Sequence, residues 1–220
     1  MEGHYRQIIK MHKPKRFLLF GIIIFASLVT SIFFYIIIPR GEPLPLIRLK
    51  TDGFSELLKD GDIICRLGDR VWSQYFRDVS ITDRRFSHMG IIRINNDLIT
   101  VIHSEGDLGL EINYVNEVAL EEFIEFARAI GIYRVKNIDG SQISNMAIEY
   151  LGVPFDWQFD MSDDSKLYCT ELLYVILKRL APEIKLDTIF VTILGKDIIP
   201  LEAISNSQNF YEVYFIGSGN

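Results

Sequence analysis

The chain has 220 residues, 49% of them hydrophobic and 24% charged, with 15 Gly and 7 Pro, a balance that excludes disordered, collagenous and low-complexity proteins. Two cysteines are too few for a disulfide-dense mini-domain or a four-cysteine zinc site. The net charge of −6 is uneven: residues 1–16 hold five basic residues and one acid, leaving 18 basic and 28 acidic residues, net −10, in the remainder. That excludes nucleic acid as the main partner, because phosphate contacts need clustered Lys and Arg.

The first element is the uncharged stretch at residues 17–38, 22 residues long. At about 1.5 Å per residue it reaches ~33 Å, the thickness of a bilayer's hydrocarbon core. It lacks the polar stripe of a soluble helix. A cleaved signal peptide is the alternative, but its apolar region is shorter, about 7–15 residues, and ends at small side chains. Here the stretch ends Tyr35-Ile36-Ile37-Ile38-Pro39-Arg40. The reading is one N-terminal transmembrane helix, left uncleaved. Five basic residues before it, against Arg40, Arg48 and Lys50 after it, put the N-terminus in the cytoplasm and the body outside. The expected divisions are a basic cytoplasmic tail (1–16), an anchor (17–38), a proline-containing linker (39–50) and a folded domain (51–220).

Within the domain, residues 62–67 follow Asp60-Gly61 and alternate as a strand. Residues 89–94 and 98–103 are two further strands around the turn signal Asn95-Asn96-Asp97. Residues 110–115 are a fourth strand, 118–127 a short helix, 130–135 a strand, and 141–151 a helix stopped by Gly152 and Pro154. From Tyr168 onward, Leu172, Leu173, Ile176 and Leu180 repeat at helical spacing, with Lys178 and Arg179 in the last turn and Pro182 beyond it. An antiparallel β run followed by helices makes the fold α+β.

His88 and His103 are the only histidines beyond residue 16, and they flank one hairpin. With Asn95-Asn96 as a two-residue turn, they stand directly opposite on one face, Cβ atoms about 5 Å apart. One imidazole can then act as base and the other orient it. Cys169 opens the late helix. Orphan N–H groups and the macrodipole there favour a thiolate, which a nearby histidine can activate. Other readings of these residues stay open. Cys169 can be a small buried hydrophobe, the role assigned to Cys65, whose face carries Ile63 and Leu67. Cys65 and Cys169 can pair in an oxidising compartment. His88, His103 and Cys169 can hold zinc, although they lack close ligand spacing.

Three segments together resemble a known group: Gly61-Asp62-Ile63-Ile64, Ser87-His88-Met89-Gly90-Ile91 and Tyr168-Cys169-Thr170-Glu171-Leu172. In this order they are similar to the permuted papain-like amidases of the NlpC/p60 superfamily, the YiiX-like group. Residues 152–159 and the stretch from Ile198 to Tyr214 extend the likeness, which covers residues 55–216. His88 precedes Cys169 by 81 residues, the order of the permuted form. The resemblance implies a papain-like core, an antiparallel sheet packed on helices. It implies Cys169 as nucleophile, His88 as general base and His103 as third polar residue. The YiiX-like group often has Glu at that third position, which makes Glu105 the substitute candidate. No cofactor and no metal is implied. The expected activity is a membrane-anchored cysteine hydrolase or amidase working through a thioester, with cell-wall peptide amides as substrate. A lipid amide or ester hydrolase or acyltransferase, and a non-catalytic binding module, are the alternatives. No apolar loop beside Cys169 speaks for lipid.

Overall fold

The computed structural model describes residues 53–68, 71–106 and 113–217. The tail, anchor and linker expected at 1–50 lie outside them. Among the described residues no helix is long and apolar enough to cross a membrane.

The elements in chain order are β1 (Ile63–Leu67), α1 (Val71–Val79), β2 (His88–Asn95), β3 (Leu98–Gly106), β4 (Asn113–Ala119), α2 (Leu120–Ile124), β5 (Ala129–Val135) and α3 (Gly140–Ile148). They continue with α4 (Cys169–Leu180), β6 (Ile189–Val191), β7 (Lys196–Ile198), α5 (Glu202–Ser205) and β8 (Phe210–Gly217). One six-stranded sheet runs β4-β3-β2-β1-β5-β8, with every neighbouring pair antiparallel. A separate hairpin pairs β6 with β7. The fold is α+β, as the order of elements implies.

Both faces of the sheet are buried. Ile63, Met89, Ile91 and Ile102 point to one face and meet Leu172, Leu173 and Ile176 of α4 and Ile143 and Ala147 of α3. Ile64, Ile92, Val101, Ile130 and Ile132 point to the other and meet Leu120 and Phe123 of α2 and Phe54. The period-2 alternation of β1 and β2 supplies both cores at once.

The Gly61-Asp62 pair that opens β1 is structural. Gly61 has φ +78°, and a Cβ there would lie 2.0 Å from the Gly140 carbonyl oxygen, so only glycine lets α3 start against this turn. Asp62 is 1% exposed. It accepts from Arg134 Nε at 2.6 Å and Nη2 at 2.7 Å, tying β1 to β5, and from the Lys59 backbone N–H at 2.8 Å.

The β2–β3 hairpin differs from the expected register. Its turn is Asn96-Asp97, with φ 48° and 67°, the left-handed pair that a tight hairpin turn requires. Asn95 therefore faces Leu98, and Ile91 faces Ile102. This is a slip of two residues from the Asn95-Asn96 turn. An even slip keeps every side chain on its face. The strand expected at 110–115 is described from Asn113, residues 110–112 lying outside the described residues, and it runs through Ala119, which shortens the expected helix at 118–127 to α2.

Candidate active site

α4 packs against β2 and β3 and brings its first residue to the start of β2. Two side chains beside Cys169 lock that position. The Ile199 backbone N–H donates to Tyr168 Oη at 3.0 Å, and the Thr170 hydroxyl donates to the Ile199 carbonyl at 2.7 Å. The Tyr168 N–H donates to Glu171 Oε2 at 3.3 Å, closing the helix end. Leu167, Tyr168, Thr170 and Glu171 are buried, whereas Cys169 is half-buried. A cavity of about 290 Å³ opens at that point, lined by Cys169, His88, His103, Glu105 and Arg66 among others. The Met89 backbone N–H, next along the chain from His88, lies near the Cys169 sulfur and favours its thiolate form.

The two imidazoles meet. His88 Nε2 lies 2.9 Å from His103 Nδ1. They are diagonal neighbours rather than directly opposite, because of the two-residue slip. Gly90 stands across from His103: a Cβ on it would lie 3.2 Å from His103 Cβ and 2.3 Å from Val101 Cγ1. The missing side chain leaves His103 room to lean toward His88. Phe123 stacks on His88 at 5.6 Å and meets His103 edge-on at 5.1 Å. His103 is 2% exposed, and its Nε2 has no hydrogen-bond partner among the described residues. Glu105 stands one step further out. Its Oε2 is 3.7 Å from His103 Nδ1 and its Oε1 is 3.3 Å from Arg66.

Arg66, which the sequence did not single out, sits at the centre of this charge pattern. It pairs with His88 across β1 and β2, donates to the Phe123 carbonyl at 2.5 Å, and lies 4.5 Å over the Phe123 ring. Its signal was its place on the strand before the hairpin, but only the pairing of β1 with β2 gives that place a meaning.

The electrostatics depart from the thiolate expected at a helix start. Burial pushes the Cys169 thiol up to about 11, partly offset by N–H groups of Met89 and the helix end and by Arg66. Burial, then Arg66, pushes His88 well below the ordinary imidazole range. The same two causes bring His103 down to about 3. Desolvation outweighs the end of the helix dipole, so the resting site holds a neutral thiol and neutral imidazoles lining one cavity. Cys65 is 1% exposed in the core. Both cysteines are free thiols, so the alternative disulfide does not form here.

Comparison with known proteins gives the same direction. The uncharacterized protein YiiX of Escherichia coli K12 is 28% identical over 126 residues, covering 54% of this chain and 57% of that protein. The chain thus aligns with a little over half of that relative's length. The crystal structure of yiiX from Escherichia coli O157:H7, described as a metalloprotein, superposes with a TM-score of 0.60 at 16% identity. That match covers 73% of this chain and 98% of the other, and it speaks for the fold.

A metal does not fit the residues described here. His88 Nε2 and His103 Nδ1 face each other at 2.9 Å, whereas shared ligands must each aim at an ion about 2.0–2.1 Å away. Among the described residues, no three or more His, Cys, Asp or Glu side chains form a set able to hold an ion. The profile of the permuted papain-like amidases, YaeF/YiiX type, matches residues 57–212. With its antiparallel sheet, its late cysteine helix and that match over most of its length, the chain belongs to this family, the C92 amidases.

Proposed function

We propose that this protein is a cysteine amidase in which Cys169 attacks the carbonyl, His88 takes its proton and His103 orients His88. One observation carries the reading: the Cys169 thiol and the His88–His103 pair open onto the same cavity. For His88 to accept the thiol proton on Nδ1, its Nε2 must carry the hydrogen that His103 Nδ1 accepts. The 2.9 Å separation is a hydrogen-bond distance that this tautomer satisfies. It also supports His103 over Glu105 as the third residue, since Glu105 is engaged by Arg66. The backbone N–H of Cys169, at the helix start, is the oxyanion donor. The S–C bond forms as the amide C–N bond breaks, His88 returns its proton to the amine, and water hydrolyses the thioester.

The domain begins after an anchor at 17–38 and a linker at 39–50, with the tail at 1–16 in the cytoplasm. Facing outward beside a bilayer, the site has two amide pools within reach, cell-wall peptides and lipids.

The test is intact-protein mass spectrometry after p-nitrophenyl ester is added to the full chain in nanodiscs. One acyl group on Cys169 is expected. Cys169→Ala abolishes it, and His88→Ala slows it by about 10²–10⁴, the span of general base catalysis. A protein that stays unacylated while its thiol still alkylates is a binding module.

A further inference from the structure

His103 sits opposite Asn116 where β3 pairs with β4. Directly opposite residues of an antiparallel pair share a face, with Cβ atoms about 4.5–5.5 Å apart. Each side chain carries one buried atom without a hydrogen-bond partner among the described residues: Nε2 on His103 and Oδ1 on Asn116. Both residues line the cavity. So do the charged side chains of Arg66 on β1, Glu105 on β3 and Glu122 on α2, yet none of them partners Nε2. Glu105 approaches the other ring nitrogen, Nδ1, at 3.7 Å, and His88 of β2 meets that same nitrogen at 2.9 Å.

The two orphaned atoms are complementary. With His88 donating to Nδ1, a neutral His103 carries its hydrogen on Nε2, and an amide oxygen accepts it. The terminal torsion of an asparagine side chain is broad, so the amide turns toward the ring at little cost. We propose that Asn116 is a positioning residue for acylation: its side-chain oxygen accepts the Nε2–H of His103 and so holds His103 in the tautomer whose Nδ1 accepts from His88. The proposal rests on Cys169 being the nucleophile and His88 its base. The other His103 tautomer places a hydrogen on Nδ1. The hydrogen of His88 must then move to its own Nδ1, the atom that has to receive the thiol proton, and the base is lost. When His88 does take that proton, its bond to His103 becomes charge-assisted and stronger. An apolar side chain at position 116 leaves Nε2–H buried and unpaired, which favours the unproductive tautomer.

The test is acylation of the full chain in nanodiscs by p-nitrophenyl acetate. The S–C bond forms, the C–O bond breaks, p-nitrophenolate leaves and the thiol proton passes through His88 to solvent. Asn116→Leu should slow this about tenfold, toward the low end of the cost of an unpaired buried donor. Alkylation of Cys169 by iodoacetamide, which uses no base, should stay as it was. Asn116→Asp restores an acceptor: its rate should return to within about threefold of the parent, and its negative charge should move the acid limb of the acylation profile toward neutral pH. Should Asn116→Leu lose its thermal unfolding transition, Asn116→Ala takes its place with the same expectation. Asn116→Leu as fast as the parent, or Asn116→Asp as slow as Asn116→Leu, overturns the relay while leaving Cys169 and His88 in their roles. A parent protein that is never acylated, with its Cys169 still open to iodoacetamide, overturns the underlying reading and the relay with it.

Discussion

The charge state of the resting site gives the sharpest prediction. With Cys169 pushed up to about 11 and His88 held well below the usual range, neither group changes charge between pH 6 and 9. At pH 7 the thiolate fraction is then ~10⁻⁴, against ~3% for an ordinary thiol ionising near 8.5. A thiolate of higher pKa is intrinsically the better nucleophile, by about tenfold over this difference. Iodoacetamide, which gets no help from a base, should therefore alkylate Cys169 about 30-fold more slowly than a free thiol at pH 7. The rate should climb about tenfold per pH unit from 7 to 10.

Ester acylation, in which His88 takes the proton, should instead be flat from pH 6 to 9, because both neutral partners prevail throughout. The two pH profiles, read by mass spectrometry of the Cys169 peptide, are the assay. Arg66→Gln removes the positive charge that lowers both groups. Both then rise, and the acid limb of the acylation profile moves up toward neutral pH. Alkylation that levels off below pH 7 would refute the reasoning. It would mean a standing thiolate–imidazolium pair, with the helix dipole outweighing desolvation.

Other expectations follow from single contacts. His103→Ala leaves His88 Nε2 without its partner and should cost up to the 10²–10⁴ that the base contributes to acylation, whereas Glu105→Gln should change the rate only a few-fold; equal losses would make Glu105 the orienting group. Gly90→Ala forces a Cβ to 2.3 Å from Val101 Cγ1, an overpacking cost of about 1–3 kcal/mol. That is a fall in melting temperature of roughly 2–12 °C, read by thermal unfolding. Glu171 has no exposed surface, its Oε1 has no partner among the described residues, and burial raises its carboxyl to about 8. The unfolded chain loses this proton near the usual carboxylate value while the folded chain keeps it. Stability should therefore fall as pH rises from about 4.5 to 8, by ~2 kcal/mol after discounting for screening. Urea unfolding across that range checks it, and Glu171→Gln should flatten the slope.

The site was more legible than its surroundings, and period 2 explains why. The face shared by His88 and His103 depends only on whether the hairpin register is even or odd. The Asn96-Asp97 turn moved the register by two, and the imidazoles still met. The helix from Cys169 was legible because Leu172, Leu173 and Ile176 repeat on its buried side. β6 and β7, at three residues each, are too short for alternation to stand out. Asn116 was invisible for another reason: only the pairing of β3 with β4 sets it across from His103. The thiolate expectation failed because local sequence reports a helix start and not how much water surrounds it.

Arg66 gives this arrangement a direction. A positive charge beside His88 weakens it as a base and makes its protonated form a stronger acid. In the proposed reaction those effects fall on different steps. Taking the thiol proton becomes harder, but the same charge favours the thiolate and, within the cavity, the developing oxyanion. Expelling an amine, the difficult step of amide cleavage, needs a proton donor, and an imidazolium of low pKa gives its proton up readily. An ester releases p-nitrophenolate without that proton. Arg66→Gln should therefore slow acylation by an anilide more than acylation by the matching ester, and equal slowing would show that Arg66 acts on the attack and not on the departure.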